Sequence, residues 1–81
     1  MTEEIILQDL KDIFATVNPK QDLEQVTMES RLGEDLGLDS LTLMLMSLAV
    51  ETRFGIRIEP GVSFVRVADV VNYIAAWGDG D

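Results

Sequence analysis

The sequence predicts a small all-α bundle: three main helices, with one long loop after the first. Three observations carry this. Apolar residues recur at helical spacing near both ends, at Ile6, Leu10, Ile13, Phe14 and Val17, and again at Val67, Val70, Val71, Ile74 and Ala75. Between them, Leu41 to Val50 runs without a single charge, behind a residue suited to cap a helix and ahead of a glycine suited to close one. Finally, 81 residues allow one small domain, and no internal repeat or linker divides them.

The first helix is expected over residues 2–17. Thr2 can cap it, and Glu3 and Glu4 suit its positive end. Asp9 and Asp12 fall off the apolar stripe and should face water, and Asn18-Pro19 ends the helix. Residues 18–39 read as a loop. A loop of that length in a compact domain is unusual and tends to be functional or pinned by its own side chains. Leu23, Val26, Leu32, Leu36 and Leu38 are spaced along it as anchors, and Gly33 and Gly37 permit turns.

Asp39 then caps a second helix over residues 40–54, closed by Gly55. Its apolar residues form two stripes that face different ways. One is Leu43, Met46, Ser47, Val50 and Phe54; the other is Leu41, Met44, Leu45 and Leu48. A helix apolar all round is normally buried all round, but so small a domain can rarely achieve that, so the second stripe is expected to be exposed. Ile56-Arg57-Ile58 suits a short extended segment, Pro60-Gly61 a turn, and residues 62–65 one helical turn at most. The last helix is expected over 66–77, with Tyr73 and Trp77 on a flanking face. Residues 1–77 form the expected domain and 78–81 a flexible acidic tail, too short to supply an ordered calcium site.

Composition removes several classes of function. There is no Cys, hence no disulfide, thiolate nucleophile or cysteine-ligated zinc, and no His, hence no Ser-His pair. A carboxylate-only enzyme would need a cleft that so short a chain seldom makes. Any thiol or metal used in chemistry must be imported. The net charge of −9 disfavours nucleic acid and anionic membrane surfaces and favours basic protein partners. The acidic Met-Thr-Glu-Glu start lacks the basic region of a secretory signal, and the longest apolar run is too short to span a bilayer. A monomeric, cytoplasmic protein without a membrane role is expected.

The informative segment is Leu32-Gly-Glu-Asp-Leu-Gly-Leu-Asp-Ser-Leu41, running into the apolar helix that closes at Phe54. Here the chain resembles the acyl carrier protein family, and the likeness extends through Val67-Ala-Asp-Val-Val-Asn-Tyr-Ile74. Asp-Ser-Leu alone occurs by chance; the ten-residue run in an acidic chain of this length is far more specific. The resemblance implies an acyl-carrier-type four-helix bundle, a carrier and not an enzyme. It further implies that Ser40, flanked by Asp39 and Leu41, accepts 4′-phosphopantetheine from coenzyme A through a phosphopantetheinyl transferase (a holo-carrier synthase). Acyl transferases, ketosynthases or other synthase enzymes of fatty acid or polyketide-type biosynthesis would then be partners. The residues agree independently: a serine at the first turn of a helix can face solvent, and a helix N-terminus favours the phosphodiester anion that results. The bland alternative is that Asp39 and Ser40 serve only as a helix cap. In family members the acyl chain can fold back between the helices. Leu43, Met46, Val50, Ile58, Val62 and Val71 are the candidate lining, set against a plain core role.

Two features depart from the fatty-acid carriers. Their second helix usually shows several acids, whereas here Glu51 is the only one, with Glu34, Asp35 and Asp39 at the entrance. Partners are therefore expected to dock on Leu41, Met44, Leu45 and Leu48 with Glu34, Asp35 and Glu51 as an acidic rim. The segment from Phe54 to Val67 is also short, so the usual third helix is expected to be truncated or absent. Two other readings stay open: an aminoacyl or peptidyl carrier of nonribosomal synthesis, and an unmodified helical adaptor that binds a partner through the second helix.

Overall fold

The computed structural model describes residues 2–20 and 22–79. Helix α1 is Glu3–Val17. Thr2 caps it, its hydroxyl accepting the Ile5 N–H at 3.3 Å, and the Asn18 N–H closes it on the Phe14 carbonyl at 2.8 Å. Ile6, Leu10, Ile13 and Phe14 are buried along one face, as their spacing predicts. Asp9 and Asp12 lie off that face, and both meet Arg53 of the second helix, at 3.0 and 3.5 Å. These pairs are largely exposed, so they add little to stability.

The loop after α1 is built by anchoring. It contains a 3-10 turn, Leu23–Gln25, capped by the Asp22 carboxylate, which the apolar spacing does not reveal. Val26, Leu32, Leu36 and Leu38 are buried, and Leu23 is half-buried against the core. Backbone hydrogen bonds lace the loop to the chain that enters the last helix. Leu32 N–H reaches the Val65 carbonyl at 2.9 Å, Val67 N–H the Ser30 carbonyl at 2.9 Å, and Ala68 N–H the Met28 carbonyl at 2.8 Å. Arg66 adds a guanidinium bond to the Glu29 carbonyl at 2.9 Å. Arg31 and Arg66 form the associated antiparallel bridge.

Helix α2 is Ser40–Phe54, as expected, and ends on Gly55 at φ +66°, a left-handed conformation that favours glycine. Helix α3 is Val67–Asp79, where the sequence places a helix over 66–77. Its start is set by Asp69, whose carboxylate accepts the N–H groups of both Val65 and Arg66 at 2.9 Å. Its end takes in residues 78 and 79, the first half of the expected tail; residues 80 and 81 lie outside the described residues. Helix α1 packs against both α2 and α3. The shared core includes Leu10 and Phe14 of α1, Met46 and Val50 of α2, and Val67, Val70 and Val71 of α3.

Between α2 and α3 the chain is irregular, with a turn at Pro60-Gly61, as expected, closed by the Val62 N–H on the Glu59 carbonyl at 3.2 Å. Residues 62–65 make no helical turn, so the described residues form three α-helices and one 3-10 turn instead of four helices. The short connection is held from the side. Ile58 N–H donates to the Glu51 carboxylate at 2.7 Å, and the Tyr73 hydroxyl donates to the Arg57 carbonyl at 2.8 Å. Phe64 packs edge-on against Tyr73, with ring centres 5.5 Å apart, and Tyr73 stacks on Trp77. Ile56-Arg57-Ile58, where composition suggests an extended segment, forms no strand among the described residues.

Candidate functional site

The site is the start of α2. The loop delivers it there through Leu36 and Leu38, both buried, with Gly37 at φ +69° turning the chain between them. A residue with a Cβ would be strained at that φ. Asp39 and Thr42 then form a reciprocal cap. The Asp39 carboxylate accepts the Thr42 N–H at 2.9 Å, and the Thr42 hydroxyl accepts the Asp39 N–H at 2.8 Å. The Thr42 N–H, and next the Thr42 hydroxyl, which donates to the same carboxylate at 2.9 Å, hold the Asp39 carboxyl below its ordinary pKa.

Because Asp39 and Thr42 do the capping, Ser40 is left out of it. Ser40 is exposed, and no hydrogen bond among the described residues engages its hydroxyl. It sits on the first turn of a fifteen-residue helix, whose free N–H groups and dipole favour an anion at that position. An exposed, unengaged hydroxyl beside an anion-favouring helix end fits a phosphodiester link. The neighbouring Asp39 carboxylate is committed to the Thr42 N–H and hydroxyl and is held below its ordinary pKa, which makes it a weak base for the Ser40 proton.

A cleft of about 300 Å³ opens at Ser40. Leu43, Met44 and Ser47 of α2 line one wall, Val62, Ser63 and Phe64 the other, and Met46 the floor. Of the residues suggested as acyl-chain lining, Leu43, Met46 and Val62 border this cleft; Val50, Ile58 and Val71 do not. Val50 and Val71 are fully buried and serve as plain core. Ser63 and Phe64 were not singled out by sequence reasoning. They come from a segment with no periodic pattern, brought opposite α2 only by the fold.

The stripe Leu41, Met44, Leu45 and Leu48 is exposed, at 63, 59, 44 and 53 %. The described structure thus has the two-sided second helix its sequence pattern suggests: Met46 and Val50 inward, the charge-free stripe outward. The acids near it are already engaged. Glu34 and Asp35 both pair with Arg31, and Glu51 accepts the Ile58 N–H. The Arg31 N–H, at 2.7 Å, together with the Arg31 guanidinium, lowers the Asp35 pKa. Among the described residues no cluster of acidic or other ligating side chains is arranged to hold a metal, and no helix is long and apolar enough to cross a membrane.

Asp39, Asp35 and Asp69 all have folded-state pKa values below the ordinary 3.8. For Asp69 the cause is the Arg66 and then the Val65 N–H. A carboxyl whose pKa is depressed on folding favours the folded state above its unfolded pKa, and that contribution is lost as pH falls through the folded value. Stability should therefore decline in the acid range below about pH 4. The Asp69→Asn variant should be less stable than wild type at pH 7, with the gap closing towards pH 2. Urea midpoints across that range test this, and a gap independent of pH would contradict it.

The comparisons with known proteins agree with this geometry. Residues 8–74 match the family described as "Phosphopantetheine attachment site". An acyl carrier protein of Campylobacter curvus is 36% identical over 78 residues, covering 90% of this chain and 96% of the relative. One from an Exiguobacterium species is 40% identical over 76 residues, covering 91% and 95%. One from Helicobacter pylori is 44% identical over 71 residues, covering 85% and 90%. With that match across most of its length, an all-helical fold and a free serine at a capped helix start, the chain belongs to the acyl carrier protein family, as a carrier with covalently attached 4′-phosphopantetheine and not an enzyme.

Proposed function

We propose that Ser40 is the attachment residue and that the protein carries acyl intermediates of fatty acid or related polyketide-type biosynthesis in the cytoplasm. The observation that carries this is the Ser40 hydroxyl, exposed and unengaged on a helix start whose capping is done by Asp39 and Thr42. Ser40 Oγ bonds to the phosphorus nearest the pantetheine of coenzyme A, 3′,5′-ADP leaves, and the serine proton passes to a base of the transferase. The attached group supplies a terminal thiol that bonds acyl groups as thioesters. The chain's own part is to present the hydroxyl, accommodate the phosphodiester at the end of α2, and hold that end fixed through the buried Leu36 and Leu38.

The test is intact mass after incubation with coenzyme A, magnesium and a broad-specificity transferase. A gain of one phosphopantetheinyl group is expected. No gain from folded protein would turn the reading to an unmodified helical adaptor.

The transferase and synthase partners dock on Leu41, Met44, Leu45 and Leu48, with the acids at either end of α2 meeting basic residues on the partner. Support comes from the exposure of all four side chains and from their position on the helix that begins at Ser40. Exposed apolar patches of this kind commonly mark interfaces, and methionine adapts to several partners. Leu45→Glu should lower kcat/KM for arm transfer about tenfold, the equivalent of losing the roughly 1.5 kcal/mol of burying one leucine. Unchanged kinetics in a folded variant would remove this docking face.

A further inference from the structure

The acids at the entrance to α2, and the one within it, are all held by the chain itself. Asp39 is held by Thr42 and Glu51 by the Ile58 N–H; the first is a helix cap and the second fixes the connection to α3. Glu34 and Asp35 differ, because both are held by one exposed side chain, Arg31. Its guanidinium reaches Asp35 through two nitrogens, at 3.3 and 3.4 Å, and pairs with Glu34 through a third.

The backbone of Arg31 is pinned. Its carbonyl accepts the N–H groups of Asp35 and Leu36, at 2.9 and 3.1 Å, and the Leu32 N–H is tied to Val65. Its own N–H donates to the Asp35 carboxylate at 2.7 Å. These backbone bonds survive any side chain at position 31. The guanidinium itself contributes little to stability, since its ion pairs are exposed. What it changes is the local charge ahead of Ser40, where one cation faces two carboxylates. An arginine or lysine of a partner would seek the same oxygens.

Resting on the reading that partners dock on the α2 stripe with its acids as a rim, we infer that Arg31 is an internal competitor for Glu34 and Asp35 and so a specificity-determining residue. It weakens the attraction of the entrance for any cationic surface. A partner then needs both a cation able to replace Arg31 and an apolar recess for the exposed, charge-free side chains of Leu41, Met44, Leu45 and Leu48. The surface it fits is an enzyme face with an apolar recess rimmed by arginine or lysine, and a merely basic face is disfavoured.

The experiment measures kcat/KM for arm transfer from coenzyme A by the broad-specificity transferase, at about 0.05 and about 0.5 M salt, with the product identified by intact mass. Arg31→Gln should raise kcat/KM about threefold to tenfold at the lower salt and bring little gain at the higher, because rim charges act on the encounter rate and are screened by salt. Arg57→Gln is the control for net charge. Arg57 is exposed and makes no ion pair among the described residues, and its loss changes the total charge equally, so its effect should stay within about twofold. In Glu34→Gln/Asp35→Asn, where asparagine keeps an oxygen for the Arg31 N–H, adding Arg31→Gln should bring no gain. No gain from Arg31→Gln alone, an equal gain from Arg57→Gln, or a gain that survives the loss of both acids would overturn the inference. Each is read on protein that takes up the arm, so attachment is not in question. Unchanged kinetics in a folded Leu45→Glu variant would instead overturn the docking face on which the inference rests.

Discussion

Ser40→Ala is expected to take up no phosphopantetheine at all while keeping the stability of the wild type. The first half follows from chemistry: alanine has no oxygen to bond to phosphorus. The second half follows from structure. Ser40 is exposed and its hydroxyl makes no bond among the described residues, while the cap of α2 rests on Asp39 and Thr42. Alanine is also the better helix former, so the change costs the helix nothing. Intact mass and a urea midpoint on the same preparation check both halves. The other serines make this a sharp test. Ser63 is also exposed and Ser47 shares the same cleft, but neither lies on the first turn of a helix. Modification that persists in Ser40→Ala would mean that hydroxyl exposure, and not the helix start, selects the residue.

Leu32→Ala should cost about 2–5 kcal/mol, the usual range for emptying a buried leucine site. That is a large share of the 5–15 kcal/mol typical of a domain. Leu32 lies in the loop, yet it is only 1% exposed. Its N–H bonds to the Val65 carbonyl at 2.9 Å, and its own carbonyl accepts the Leu38 N–H at 3.0 Å. It therefore joins three things: the core, the entry to α3 and the residue just ahead of the Asp39 cap. Loss of Leu32 should loosen the start of α2 and slow arm transfer as well as lower the unfolding midpoint. Leu41→Ala is the control. It removes the same side chain from a site 63% exposed, and a surface change of that sort is expected within about 0.5 kcal/mol. Equal destabilisation by the two variants would show that the loop is not pinned in this way.

Local patterns decided a good deal without any fold. The helices α1 and α2 were legible because Ile6, Leu10, Ile13 and Phe14 recur at helical spacing, and because Asp39 and Gly55 have the chemistry of a start and a stop. The division of α2 into a buried and an exposed stripe was legible for the same reason, since the angle between side chains on a helix is constant. Ser40 stood out through its neighbours in the chain. The tertiary structure decided what depends on residues far apart in sequence. The lacing of residues 28–32 to residues 65–68, the capture of Glu51 by Ile58 and the placing of Phe64 against Tyr73 leave no periodic trace. Such contacts are made by single backbone groups and single side chains, whose partners are chosen by where the helices pack. The end of α3 at Asp79 belongs here too: Gly78 reads as a stop from composition, yet the helix runs through it.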